Sequence, residues 1–92
     1  MTKFFDSARE KRRQAMMAEV ETIRAQISRK EEENDVLREF VIQCARETAS
    51  HSDEKINLRI RIRSDQIESN ERLISQLNEE QRKFEHELRI MK

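Results

Sequence analysis

The sequence predicts an all-α protein, an antiparallel helical hairpin of the coiled-coil type that dimerises into a four-helix bundle. Two ladders of apolar residues step alternately by four and three, Gly and Pro are absent from all 92 residues, and 41% of residues are charged against 35% hydrophobic. A step that averages 3.5 residues keeps one narrow stripe of a helix facing a partner. Because this composition is too poor in apolar residues for a conventional globular core, the helices are expected to associate.

The N-terminal part of the chain is predicted to be a flexible lead, residues 1–6, followed by helix 1 over residues 7–48. The lead contains Phe4 and Phe5. Ser7 and Glu10 have the spacing of a capping box, in which each side chain accepts a hydrogen bond from the other residue's free backbone N–H. The ladder of helix 1 is Met16, Val20, Ile23, Ile27, Lys30, Asn34, Leu37, Val41 and Cys44.

The turn is predicted at residues 49–52, within the only cluster of turn and cap formers in the chain. Ser50 and Asp53 are both favoured N-cap residues. Beyond them the ladder restarts with a phase shift of two residues, whereas a continuous coiled coil usually absorbs insertions of three or four. Helix 2 is therefore predicted over residues 53–92, folded back on helix 1. Its ladder is Ile56, Ile60, Arg63, Ile67, Asn70, Ile74, Leu77, Gln81, Phe84, Leu88 and Met91.

Two other arrangements compete with the hairpin. The turn contains no strong helix breaker, and the first ladder's phase meets Leu58 and Ile62 again, which favours a single long helix in a coiled coil. Residues 55–63 also alternate apolar and polar with period two, which is typical of a half-buried strand in an intermolecular ribbon. No second segment alternates in this way, and the step from Ile56 to Ile60 continues the helical ladder. The hairpin therefore remains the main prediction.

Each ladder contains one asparagine, and we expect Asn34 and Asn70 to set the register of the hairpin. A polar seam residue lowers stability but penalises slipped registers, because a slip leaves its amide without a partner. The alternative is that each Asn lies separately at a wetter part of the seam. Pairing the two residues also pairs Val20 with Phe84, Ile27 with Leu77, Leu37 with Ile67, and Met16 with Leu88.

Apolar residues near the turn cover more than one helix face. Ile56 and Ile60 share one face, whereas Leu58 and Ile62 point roughly to the other side. One hairpin cannot bury both faces, so the half of the hairpin next to the turn is predicted to be the oligomer or partner interface. Its residues are Phe40, Val41, Ile42, Cys44, Ile56, Leu58, Ile60 and Ile62.

The charge is zero overall but uneven along the chain, with a net +4 over residues 1–30, −6 over 31–54 and +2 over 55–92. The candidate nucleic-acid contacts would bind phosphates without reading bases. Base stacking is not indicated, because the chain has no Tyr or Trp. A solvated surface, or pairing with the acidic block at residues 31–35 of another molecule, is the favoured interpretation. The cluster consists of Arg9, Lys11, Arg12 and Arg13.

No motif indicates catalysis, and the chain is predicted not to be an enzyme. A Gly-rich phosphate loop is excluded by the absence of glycine. Cys44, His51 and Asp53 match no metal-ligand spacing, so neither a metal nor another cofactor is expected. No apolar run approaches the roughly twenty residues of a membrane span, and no secretory signal is evident. We therefore expect a soluble cytoplasmic protein without a membrane partner.

These features favour a non-catalytic protein–protein interaction module. It would be a small coiled-coil adaptor, assembly factor or regulator that acts through a self-associating helical surface. The expected partners are a second copy of the chain, in a homodimer, and another protein. The alternative is a small nucleic-acid-associated regulator that uses the basic N-terminal helix segment, and a third interpretation is a structural subunit of a larger assembly.

Overall fold

A computed structural model describes the backbone of residues 2–50 and 53–91, and the side chains of residues 7–48 and 53–91. The chain forms two long helices, α1 (Thr2–Ser50) and α2 (Glu54–Ile90), which lie antiparallel against each other. The hairpin is 75 Å long and 15 Å across. The predicted all-α hairpin is therefore confirmed, and the alternative of one continuous helix is wrong. The dimer stays a prediction.

α1 begins at Thr2, earlier than the predicted start at Ser7. The backbone of residues 2–6, predicted as a flexible lead, is helical instead. Ser7 and Glu10 consequently lie inside the helix and do not cap its first turn. The physical reason is that residues 2–6 contain no Gly or Pro, and extending an existing helix is far easier than starting one.

The break between the helices falls at the predicted turn but is shorter on the α1 side, because α1 continues through Ser50, two residues past its predicted end, and α2 begins at Glu54. Asp53 has an extended backbone (φ −131°, ψ 123°), and its Oδ1 accepts a hydrogen bond from the backbone N–H of Lys55 at 2.9 Å. Its carbonyl accepts from the N–H of Asn57 at 3.1 Å. Asp53 is therefore the N-cap of α2, as the turn chemistry indicates. His51 and Ser52 lie outside the described residues.

Residues 55–63 are helical and belong to α2, so the strand alternative is wrong for this segment. Ile56 and Ile60 are half-buried against α1, whereas Leu58 and Ile62 are exposed. The segment follows the helical spacing of Ile56 and Ile60 and not the period-two alternation of apolar and polar residues, because α1 covers a single stripe of it.

The two ladders form the seam between α1 and α2. Every ladder residue is buried or half-buried, while most of the residues between them are exposed. The tightest apolar packing lies near the open end, away from the turn. There Ile23, Ile27 and Leu77 form a buried cluster, with Ile74 and Phe84 packed against it.

Candidate interaction surface

An amide pair lies in the middle of the seam. Asn34 is 1% exposed and Asn70 is 8% exposed. Asn70 Nδ2 donates to Asn34 Oδ1 at 2.8 Å, and Asn34 Nδ2 donates to the carbonyl of Ile67 at 3.4 Å. Within the described residues, every buried side-chain N or O atom has a hydrogen-bond partner. The structure thus places the two amides together, in the register that the sequence suggests.

Glu33 links the amide pair to the surface. Its Oε1 accepts from Asn70 Nδ2 at 3.3 Å, and its Oε2 lies 3.2 Å from Lys30 Nζ. The hydrogen bond from Lys30, followed by that from Asn70, lowers the pKa of the Glu33 carboxyl below its ordinary value. Near neutral pH the ionised carboxylate therefore remains an acceptor for the buried amide.

The predicted turn-proximal interface divides into two groups. One group is half-buried or buried in the seam, where α1 and α2 already cover each other: Val41, Cys44, Ile56 and Ile60. These residues belong to the ladders, so a single hairpin is enough to shield them. The other group remains exposed, with Ile42 at 49%, Leu58 at 56% and Ile62 at 43%.

Phe40, the eighth predicted interface residue, is half-buried beside the seam. The guanidinium carbon of Arg63 lies 5.0 Å from the centroid of its ring. At this distance a cation–π attraction is expected, with a size of about 0.5–1 kcal/mol at a partly exposed site. Arg63 is a charged residue at a seam position, and its guanidinium contacts the Phe40 ring there.

Two ion pairs between the helices mark one long side of the hairpin. Arg24 Nη2 lies 3.2 Å from Glu85 Oε1, and Arg38 Nη2 lies 3.1 Å from Glu71 Oε1. Ile42 follows Arg38 by four residues, which places it on the same side. We call this surface, defined by Arg24, Arg38, Glu71, Glu85 and Ile42, the ion-paired side.

The opposite side carries the contacts of Glu33 with Asn70 and of Phe40 with Arg63. Val36 lies between Glu33 and Phe40 at helical spacings of three and four, so it shares their face. It is 70% exposed.

In α2, Ile62 lines a shallow groove on this same side together with Glu33, Asp65, Gln66, Ser69 and Asn70. Leu73 follows Asn70 by three residues and Ser69 by four, and is 37% exposed. We call this surface the apolar side. Its apolar residues are Val36, Phe40, Ile62 and Leu73.

The basic cluster lies at the open end of the hairpin. The register of the amide pair places Ile90, the last residue of α2, about level with Gln14. About three turns of α1 therefore extend past the end of α2. Arg13 pairs with Glu10 at 3.9 Å, which offsets part of the positive charge. All four basic residues, Arg9, Lys11, Arg12 and Arg13, are exposed.

Sequence reasoning missed the contacts that cross between the helices outside the seam. The ion pairs of Arg24 with Glu85 and of Arg38 with Glu71 join positions that flank the seam on the same side, and they follow once the register is known. Within α2, Glu68 and Arg72 form an ion pair at 3.6 Å. Glu85 contacts Arg24 and Gln81, whose hydrogen bonds lower the pKa of its carboxyl, Gln81 contributing most.

Across the described ranges, no three His, Cys, Asp or Glu side chains come together as metal ligands would. Cys44 is buried in the seam, and His51 lies outside the described residues. Over those same ranges, neither α1 nor α2 contains a stretch apolar enough to cross a membrane.

The sequence matches no protein-family model, and no curated protein or solved structure is significantly similar to it.

Proposed function

We propose that this chain is a non-catalytic protein–protein interaction module, a small coiled-coil adaptor, assembly factor or regulator that binds itself and another protein through its helical surface. One observation carries the proposal: large apolar side chains remain exposed on a hairpin whose own seam is already filled. Val36, Ile42, Leu58 and Ile62 are each 43–70% exposed, and all four lie in the half near the turn, with Ile42 on the ion-paired side and Val36 and Ile62 on the apolar side. Apolar residues that share one side, as Val36 and Ile62 do, are typical of a surface that another helix covers.

The small core supports the same proposal. Only six apolar side chains of the described residues are buried, and a two-helix hairpin offers each helix a single neighbour. Most of the stability of a helix in water comes from packing its apolar face. A further helical partner would therefore stabilise this hairpin, as in a four-helix bundle.

Affinity capture from cells that express the chain tests this function. A tagged chain is recovered in moderate salt, and the sample is divided into nuclease-treated and untreated halves before mass spectrometry. We expect a protein present in stoichiometric amount in both halves, and its loss when Leu58→Glu replaces an exposed apolar residue. Capture of that protein by Leu58→Glu at the level of the unchanged chain would contradict the proposed surface.

A second candidate function is nucleic-acid association, which the position of the basic cluster favours. Arg9, Lys11 and Arg12 lie on the part of α1 that extends past α2, where a phosphate backbone would meet no second helix. With three phosphate contacts, binding should fall on the order of 50-fold between 50 and 200 mM salt.

Fluorescence polarisation with a labelled DNA duplex separates this candidate from the first. Arg9→Glu with Arg12→Glu should abolish binding, while Arg82→Glu, an exposed arginine on α2, serves as the matched control. Equal losses in the two variants would indicate a general charge effect. A chain that shows no salt-dependent binding at all would remove this candidate.

A third candidate is a structural subunit of a larger assembly. It is supported by exposed apolar residues on both long sides, Ile42 on the ion-paired side and Ile62 on the apolar side. Growth of the particle mass with concentration, beyond a dimer, is the result expected for it.

A further inference from the structure

We propose that a second copy of this chain packs on the apolar side, with α1 of each copy lying over α2 of the other and both turns at the same end. The result is a closed four-helix bundle. This inference rests on the proposed function, since it names the surface and the partner that the interaction module uses for self-association.

The dimensions of the side match a stable dimer. The hairpin is 15 Å wide, and the 37 residues of α2 span about 55 Å at 1.5 Å per residue. Contact along the full length of α2, including charged residues such as Arg59 and Glu80 on either side of the uncharged row, therefore covers about 800 Å² per copy, which is the usual contribution of each partner to a specific protein interface. A second hairpin laid along this side buries enough surface without any other chain.

The chemistry of the side suits burial against another helix pair. In α2, the row of Ile62, Gln66, Ser69 and Leu73 contains no charged residue. Covering this row removes no charged residue from water, so the desolvation penalty of this interface falls on the charged groups that border the row, Glu33 and Asp65 among them. In a four-helix bundle each helix buries one flanking position in addition to its two seam positions. Its apolar face is therefore wider than that of a helix in a two-helix coiled coil.

The same row in α1 is also uncharged at its centre, with Val36, Phe40 and Gln43. On the ion-paired side, by contrast, the central residues of α1 include Asp35 and Arg38, and Arg38 is engaged with Glu71. A copy that packed there would have to desolvate these charges. The apolar side is therefore the more favourable one for a second hairpin.

The register makes the apolar side self-complementary. It places Phe40 about level with Ile62, and Glu47 about level with Arg59. A two-fold axis parallel to the long axis of the hairpin leaves the height of every residue along that axis unchanged. It places α1 of one copy against α2 of the other copy. It thereby brings Phe40 onto the partner's Ile62, and Glu47 beside the partner's Arg59, and symmetry repeats each contact.

The opposite orientation is less favourable. With the turns at opposite ends, α1 lies over α1, and a contact centred on Phe40 places Glu33 beside the partner's Glu47. Like charges held together at an interface oppose association. Charge therefore selects the orientation with both turns at one end.

Two isoleucines provide a matched test. Ile42 and Ile62 are the same residue type, lie at the same level of the hairpin and have similar exposure, 49% and 43%, but they are on opposite sides. Sedimentation equilibrium of the full chain should show a dimer. We expect Ile62→Glu to raise the dissociation constant by at least about a hundredfold, because symmetry places two such changes in the interface, and Ile42→Glu to change it by less than about threefold.

Circular dichroism establishes that each variant stays helical, and Val36→Glu replaces Ile62→Glu if the latter unfolds. A chain that is monomeric at about 100 μM would overturn the inference, as would an equal or larger effect of Ile42→Glu. If the monomer still captures another protein, the proposed function survives while this inference fails. If Ile62→Glu breaks a dimer but no other protein is captured, the inference stands and the wider adaptor role fails.

Disulfide cross-linking tests the orientation. Glu47→Cys and Arg59→Cys chains, each in a Cys44→Ala background, are mixed and oxidised. The proposed orientation predicts that the mixed cross-linked dimer dominates. Preferential linkage between a cysteine at position 33 and one at position 47, from Glu33→Cys and Glu47→Cys chains, would support the opposite orientation and overturn the one proposed.

Discussion

The buried amide pair gives the sharpest test of how the hairpin chooses its register. Replacing Asn70 with Leu removes the 2.8 Å bond to Asn34 and leaves the Oδ1 of Asn34 without this donor at a site that is 1% exposed. Leaving a buried polar group without its partner costs about 1–3 kcal/mol, whereas replacing both partners with apolar groups is nearly neutral or stabilising. Asn34→Leu and Asn70→Leu should therefore couple strongly.

A double-mutant cycle isolates that coupling. In either single variant the remaining amide keeps one other hydrogen bond, from Asn34 to the carbonyl of Ile67 or from Asn70 to Glu33. The penalty for a lost partner therefore does not apply in full to both amides, and we expect a coupling energy of about 1–3 kcal/mol. The double variant should unfold at a urea concentration equal to or above that of the unchanged chain. The assay is urea unfolding followed by circular dichroism at one fixed protein concentration, since the proposed self-association would contribute to the measured stability.

Asn78→Leu is the control, because Asn78 is an exposed asparagine on the same helix. Its effect should lie within about 0.5 kcal/mol. The double variant should also show several sets of amide resonances in a nitrogen–proton correlation spectrum, because slipped registers no longer leave an amide unpaired. A coupling energy below about 0.5 kcal/mol, together with a single set of resonances in the double variant, would refute the register-setting role.

Three further predictions follow from the packing, the cap and the pKa shift. Leu77→Ala, in the buried cluster, should lower the free energy of unfolding by about 2–5 kcal/mol in urea unfolding, whereas Ile90→Ala, at a site 68% exposed, should change it by far less. Asp53→Ala should cost about 1 kcal/mol in thermal unfolding, because α2 loses its N-cap, and Asp65→Ala within α2 should not. Since the folded-state pKa of Glu33 lies below its value of 4.5 in the unfolded chain, its stabilisation is present above that pH and is lost as the pH falls through the folded value. Unfolding midpoints measured between about pH 6 and pH 3 should therefore drop less for Glu33→Gln than for the unchanged chain.

Periodicity in the sequence was enough to predict the helices, the turn and the amide pair. The ladders depend only on the 3.5-residue step, and the break near Asp53 depends on local cap chemistry, so both are local signals. The start of α1 was predicted too late, because the prediction depended on the capping box at Ser7. A capping-box pattern does not show whether the residues before it are also helical, and here the helix begins at Thr2. The seam Asn residues were informative because a buried amide needs a partner.

The exposed residues near the turn could not be assigned to a surface from the sequence. Ile42 and Ile62 look equivalent in a periodic pattern, since both lie outside the ladders. Only the register and the handedness of the helices show that Ile42 shares a side with Arg38 whereas Ile62 shares a side with Asn70. The interhelical pairs of Arg24 and Arg38 were missed for the same reason, because they join positions that become neighbours only after folding.

The difference between the two sides bears on how far assembly can proceed. If only the apolar side binds a second copy, the two-fold dimer buries that side of both copies. No binding surface then remains for a third copy, and assembly stops at the dimer. Growth beyond the dimer then requires the ion-paired side, where Met17 and Ile42 are exposed and the ion pairs of Arg24 with Glu85 and of Arg38 with Glu71 place charge beside them. Exposed ion pairs contribute little to stability, but burying them requires desolvation of both charges. The ion pairs on that side thus oppose open-ended stacking, so we expect the proposed closed dimer rather than a filament.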